Sequence, residues 1–342
     1  MSIHILVIFA KNTFKQAEME SGSEMNGFRV RTDLAVEAKE SFEEDNVEIR
    51  GVRIDEDYDK KNEINITRVV IETKNGAKAM GKPMGTYITL EAPNMAIPDE
   101  GYHREISKVL SKYIKELLGN FSKEHSVLIV GLGNREVTPD SLGPLVVSNL
   151  LITRHVVKEY GRYAMGKEKV NSVSGIVPGV MAQTGMESAE IVKGVIEETN
   201  PDLLIVVDAL AARSTKRLNR TIQITDTGIN PGSGVGNHRN AINSEVMGVP
   251  VISIGVPTVV DAAVIVNDAM ENMLQAMEEA ESLKSIGNVL NTFNVAEKQE
   301  LFRELLSPQL NTMFVTPKDI DETMKRLSFT ISEALNMVFQ TS

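Results

Sequence analysis

Leu128-Ile-Val-Gly-Leu-Gly-Asn-Arg-Glu-Val-Thr-Pro-Asp140-Ser-Leu-Gly143 is the stretch that decides the fold. An apolar run ends in a glycine-rich turn, and an acid stands just before a new helical pattern. Leu203-Leu-Ile-Val-Val-Asp208-Ala-Leu repeats the arrangement, an apolar run closed by an acid. In open α/β sheets, ligands collect at the carboxyl ends of the strands. Two acids at such ends therefore mark a candidate site, and a carboxylate pair is a standard means of activating water.

Working outward, a strand is expected at 126–132 and a helix at 141–155. Val173-Ser-Gly-Ile-Val-Pro-Gly-Val180 reads as a loop, followed by a helix at 186–199 that Pro201 ends. Strands at 203–208 and 250–256 and a helix at 260–283 follow. Strands alternating with helices imply a parallel sheet with right-handed crossovers. Upstream, Val47–Ile54, Ile64–Ile71 and Thr86–Leu90 alternate apolar with polar residues, as strands of a small sheet with one wet face do. Residues 103–118 place Ile106, Val109, Leu110, Tyr113, Ile114 and Leu117 on one helical stripe. The tail from Lys284 is mostly helical, with a break near Thr316-Pro317. The expected class is α/β, a mainly parallel sheet flanked by helices with a smaller antiparallel β-rich subdomain.

The 342 residues suffice for one large or two ordinary domains, and 42% apolar with 24% charged residues is ordinary for a soluble globular chain. A net charge of -11 argues against a protein held on nucleic-acid phosphates. The absence of cysteine excludes disulfides, thiolate metal sites and a cysteine nucleophile. No apolar run reaches the roughly 18 residues of a membrane helix. Ile3–Ala10 is apolar, but no Lys or Arg precedes it and no small-residue cleavage site follows, so it makes a poor secretory signal. Residues 11–27 are polar and aperiodic and read as a mobile segment.

Each candidate residue has a bland reading beside the chemical one. Asp140 fits an N-cap as well as a catalytic acid. A nucleotide loop is weakly supported, because Glu136 stands where G-x-G-x-x-G needs its third glycine. Asp208, closing an apolar strand, is either a buried acid tied to a loop or half of a proton-sharing pair. Gly232, Gly234 and Gly236 form a loop that presents backbone N–H groups as an oxyanion site or simply connects two elements. Asp226-Thr-Gly228 matches the tripeptide of pepsin-like proteases, but those are all-β and three residues recur by chance. Asp261 follows a third strand and fits a helix cap best. The five histidines show no ligand spacing, and only His238 lies beside the glycine-rich loop, as a secondary candidate.

Taken together, Arg31-Thr-Asp-Leu-Ala-Val-Glu-Ala38, Gly131-Leu-Gly-Asn134 with Thr138-Pro-Asp-Ser-Leu-Gly-Pro144, Asp208-Ala-Leu-Ala-Ala-Arg213, Asn230-Pro-Gly-Ser-Gly-Val-Gly-Asn237 and Gly255-Val-Pro-Thr-Val-Val-Asp-Ala262 resemble the germination protease family of spore-forming bacteria. The resemblance runs from about Arg29 onward. It implies an endopeptidase that degrades small acid-soluble spore proteins during germination, with Asp140 and Asp208 as its essential acids. Asn134 joins the three glycines as a substrate or oxyanion candidate. The implied fold is similar to that of hydrogenase maturation proteases. No cofactor is expected; the alternative is a divalent metal at Asp140 and Asp208. The family is made as a zymogen that cleaves its own N-terminus, and the Thr32–Glu37 segment is similar to the Thr-Glu-Ile-Ala-Ser-Glu sites of the spore proteins. Cleavage is expected between Asp33 and Leu34. The resemblance further implies a cytoplasmic homotetramer in the spore core, with no direct nucleic-acid or membrane partner. The expected organisation is a propeptide-like segment at 1–33, a β-rich region at 34–100, an α/β catalytic core at 101–285 and a helical region at 286–342. Two alternatives stand beside it: a metal-dependent maturation protease of a single partner protein, and an inactive relative that binds spore proteins.

Overall fold

The computed structural model describes residues 34–38, 49–166, 170–232, 240–279 and 313–340. After one helical turn at 35–38, the chain forms β1 (Val52–Asp59), β2 (Ile64–Ile71), α1 (Lys74–Met80), β3 (Gly85–Glu91) and α2 (Glu100–Leu118). Next come β4 (Ser126–Gly131), α3 (Leu142–Ser148), α4 (Arg154–Tyr160), β5 (Ser172–Ile176), α5 (Ser188–Thr199) and β6 (Leu203–Ala212). β7 (Thr221–Thr225), β8 (Val251–Asp261), α6 (Ala262–Glu279), β9 (Phe314–Val315) and α7 (Ile320–Phe339) follow.

The nine strands among the described residues share one sheet, ordered β1-β2-β3-β7-β8-β6-β4-β5, with β9 paired to the far end of β8. Strands β8, β6, β4 and β5 are mutually parallel, and β1, β2, β3 and β7 are antiparallel to their neighbours. β7 joins the two sets, pairing antiparallel with β3 on one side and β8 on the other. The fold is therefore α/β, with both strand senses in a single large sheet.

Side chains alternate across a strand, so odd and even residues of β6 serve different cores. Leu203, Ile205 and Val207 join Ile106, Leu110 and Ile114 of α2, Leu142 and Val146 of α3, and Met324, Leu327 and Ile331 of α7. Leu204 and Val206 face the other way, with Leu128, Val130 and Leu132, against Val192 and Ile196 of α5. Farther along this second face, Ala35 and Ala38 pack with Met80 of α1 on Val69, Ile71 and Tyr87.

Several elements differ from the sequence expectation, each for a local reason. The helix expected at 141–155 is two helices, because the fully buried Thr153 ties the chain to β5. Its hydroxyl donates to the Asn171 carbonyl at 2.7 Å and accepts the Val173 N–H at 2.9 Å. β5 occupies part of the expected loop. Its Gly175 takes no side chain because Val147 and Ile152 already fill that space. Within the described part of the strand expected at Val47–Ile54, the strand begins at Val52; Gly51, at φ +81°, makes the turn that precedes it. β7 was not anticipated at all. β6 continues to Ala212, beyond the expected end at Asp208.

Candidate active site

Glycine builds the first half of the site. Gly131 closes β4, and a side chain there would lie 2.2 Å from the Gly143 carbonyl oxygen. Gly143 in turn abuts the Leu132 backbone and the Val207 carbonyl oxygen, at 2.4 to 2.6 Å from a would-be Cβ. Two bare Cα atoms thus let α3 start directly on the end of β4 and the middle of β6. The Leu132 N–H donates to the Val207 carbonyl at 2.8 Å, continuing the contact past the end of β4. The 3-10 turn Thr138–Asp140 that precedes α3 is tied down by the Thr258 hydroxyl of β8, which donates to the Pro139 carbonyl at 2.7 Å.

Asp140 is half-buried in this turn. Its Oδ2 accepts the Asn134 N–H at 2.8 Å. Gly133, at φ +108°, leaves the space that the Asp140 backbone and carboxylate occupy. The Asn134 side chain accepts the Glu136 N–H at 3.0 Å and the Gln183 amide at 3.1 Å. Asn134 therefore belongs to the same turn as Asp140, and Gln183 of the short helix Met181–Thr184 reaches it from the next loop.

Asp208 is a mid-strand residue of β6, 5% exposed, with its Oδ1 accepting the Ala209 N–H at 2.9 Å. It lies opposite Gly255 of β8 and one position past Val207, the last β6 residue that β4 pairs. The acid thus stands where β4 stops and the Asp140 turn crosses over. By alternation its side chain shares the second face with Val206 and Leu210. Leu210 fills the space over Gly255 and packs on Leu34, Val36 and Ile229.

Ile229 and Ile242 exchange backbone hydrogen bonds at 2.9 and 2.8 Å, closing the base of the glycine-rich loop beside Leu210. Gly228, at φ +81°, passes the Ile242 carbonyl where no side chain fits. Gly232 takes a positive φ of +73°. Gly234, Gly236, His238 and Asp33 lie outside the described residues. Asp261 lies away from Asp208. It ends β8 six residues beyond Gly255, about 20 Å along the strand. Among the described residues, no three His, Asp or Glu side chains gather as a metal site would need.

The family model described as germination protease matches residues 30–282. This chain belongs to the germination protease family. The germination protease of Caldanaerobacter subterraneus is 49% identical over 312 residues, spanning 91% of this chain and 94% of the relative. That of Clostridium perfringens is 45% identical, spanning 92% and 96%, and that of Bacillus mycoides 38%, spanning 93% and 95%. Among solved structures, the NiFe hydrogenase maturation protease HycI from Thermococcus kodakarensis is 17% identical, spanning 66% of this chain and 99% of that one, at a TM-score of 0.30. The chain is thus a hydrolase of peptide bonds, a protease of spore germination. None of its described helices is long and apolar enough to cross a membrane.

Residues that sequence reasoning did not single out hold the Asp140 turn and the backbone just past β6. Glu37, 2% exposed, accepts the Arg213 N–H on both oxygens and pairs with Arg217. Thr258 anchors the Asp140 turn and Gln183 reaches Asn134. These contacts span up to 180 residues of sequence, which no local pattern reports.

Proposed function

We propose that this chain is the endopeptidase that degrades small acid-soluble spore proteins during germination, with Asp140 and Asp208 as a water-activating pair. The observation that carries the reading is the placement of the buried Asp208 where β4 ends and the Asp140 turn crosses β6. Two carboxylates that share one proton divide the work. The ionised member takes a proton from water as the oxygen attacks the scissile carbonyl. The protonated member donates to the carbonyl oxygen. Collapse of the tetrahedral intermediate breaks the C–N bond, and the departing amine leaves with a proton from the pair.

In the same reading the chain is a zymogen that cuts itself between Asp33 and Leu34, works as a homotetramer in the spore core, and needs no cofactor. The net charge of -11 favours substrate taken free of DNA. The test is digestion of a purified small acid-soluble spore protein by the chain beginning at Leu34, beside Asp208→Asn, with and without chelator. Fragment masses should show cleavage after Thr-Glu by wild type alone. Replacing one acid should cost at least about 100-fold in kcat. Equal cleavage by the Asn variant would move the active site elsewhere. Loss of activity on metal stripping, restored by a divalent ion, would replace the metal-free mechanism with a metal at Asp140 and Asp208.

A further inference from the structure

Residues Leu34–Ala38, the first that remain after the proposed self-cleavage, form one helical turn in which none is more than 7% exposed. Three independent contacts hold the turn. Ala35 and Ala38 pack with Met80 on Val69, Ile71 and Tyr87, while Leu34 and Val36 pack on Leu210 and Ile229. The Ala35 N–H donates to Oε1 of Gln223 on β7 at 2.7 Å. The Glu37 carboxylate accepts the Arg213 N–H at 3.1 and 3.0 Å and lies 3.6 Å from the Arg217 guanidinium. Arg217 is fixed from its other side by Glu91 of β3, 2.9 Å from its Nε.

The piece of β6 that these contacts grip is the piece that carries Asp208. Up to Val207, β6 is flanked by β4 and β8. From Asp208 to Ala212 its sheet partner among the described residues is β8 alone, and the register slips between Leu210 and Ala211. A strand stretch paired on one side takes its position from whatever packs on its faces. Here that packing is the 34–38 turn, which grips Leu210 by apolar contact and Arg213 by hydrogen bond.

We propose that the Leu34–Ala38 turn is a permanent wall of the mature active site, and that Glu37 is a positioning residue acting on Asp208 through Arg213. Self-cleavage before Leu34 then removes what precedes the turn and leaves the turn in place. The proposal rests on the reading of Asp208 as a catalytic acid. Glu37 itself touches no reacting atom. Its buried charge is matched by Arg217 and two hydrogen bonds, so Glu37→Gln keeps an acceptor for the Arg213 N–H while removing the ionic hold.

The experiment compares the chain beginning at Leu34, its Glu37→Gln variant and Asp208→Asn on one peptide substrate, with kcat and KM separated. Amide exchange at Arg213 and the thermal midpoint are followed in parallel. Glu37→Gln should lower kcat by about 10- to 100-fold, as small misplacements of a reacting group do, with KM changed less than about twofold. The Arg213 amide should exchange faster. Unchanged kcat in Glu37→Gln with an inactive Asp208→Asn would overturn the positioning role and leave the protease reading standing. Full activity in Asp208→Asn would overturn both.

Discussion

On one face of the sheet, α2 and α7 lay 19 and 20 residues of amphipathic helix over the strands and pack on each other through Ile106, Leu110, Met324, Leu327 and Ile331. On the opposite face the cover comes in short pieces: the turn at Leu34–Ala38, the seven residues of α1 and the twelve of α5. Asp208 points to the second face, with Leu204 and Val206. The long helices thus bury apolar stripes on the side away from Asp208, with α7 touching the site only at the Thr138–Asp140 turn, whereas the short pieces shape the surroundings of Asp208. Burial scales with apolar area removed from water, so the first face should dominate stability. Catalysis depends on placement within fractions of an ångström and should be governed by the second.

Ile331→Ala tests the division at its strongest point. Ile331 is fully buried in α7. Truncating such a residue costs about 2–5 kcal/mol, the transfer term plus the cavity left behind. Urea unfolding should show that loss, while kcat/KM measured where the variant is fully folded stays within about twofold of wild type. A fall in kcat that tracked the loss of stability would mean that the first face also sets the geometry of the acids.

The first face was also the legible one. The stripe Ile106, Leu110, Tyr113 and Ile114 is buried as its helical period requires, with Val109 and Leu117 packed at the margin. Periodicity reports which side of an element is covered, and the apolar runs of β4, β6 and β8 likewise show strands buried on both sides. Other parts of the fold left no such trace. β5 hides behind Ser and Gly, and its place is set by Thr153 and by Val147 and Ile152 against Gly175. The two strand acids were visible because acids are rare in apolar runs. Glu37 was not, since an acid in a short polar-flanked segment looks like solvated surface until Arg213 and Arg217 are brought to it from 176 and 180 residues away. Asp261 looked similar to Asp208 in sequence and is separated from it only because β8 runs six residues past Gly255.

Gly143→Ala bears on both faces at once and should cost less stability than Ile331→Ala. The new methyl would meet the Leu132 backbone and the Val207 carbonyl oxygen at 2.4 to 2.6 Å, and backbone atoms give little. Overpacking of this kind costs about 1–3 kcal/mol. The start of α3 must lift off the end of β4 and the middle of β6, carrying the Asp140 turn away from β6. The prediction is a modest drop in the unfolding midpoint with a disproportionate drop in kcat, about 10-fold or more. A stability loss with unchanged kcat would show that the Asp140 turn does not depend on this contact and would sharpen the comparison in favour of Thr258 as its anchor.

The smallest effect expected is a pH dependence confined to the first face. His103 of α2 is buried, with Nδ1 2.8 Å from the Thr330 hydroxyl of α7. Burial holds its pKa below the ordinary value of 6.5, and the Arg326 charge adds to the effect. The unfolded chain therefore takes up this proton first as pH falls. The stabilisation is complete above about pH 6.5 and is lost as pH drops from there toward the folded pKa, at no more than about 1.4 kcal/mol per pH unit. The carboxyls of Asp59 and Asp202, held low chiefly by hydrogen bonds from Asn62 and the Ser126 N–H, act in a separate window. Their contribution is present above about pH 4 and fades only as pH falls further. Urea unfolding at pH 7.5 and 5.5 should show a smaller difference for His103→Gln than for wild type, while the pH profile of kcat/KM stays the same in both. An altered kinetic profile would place His103 in communication with Asp140 or Asp208 across the sheet, and the separation of the two faces would fail.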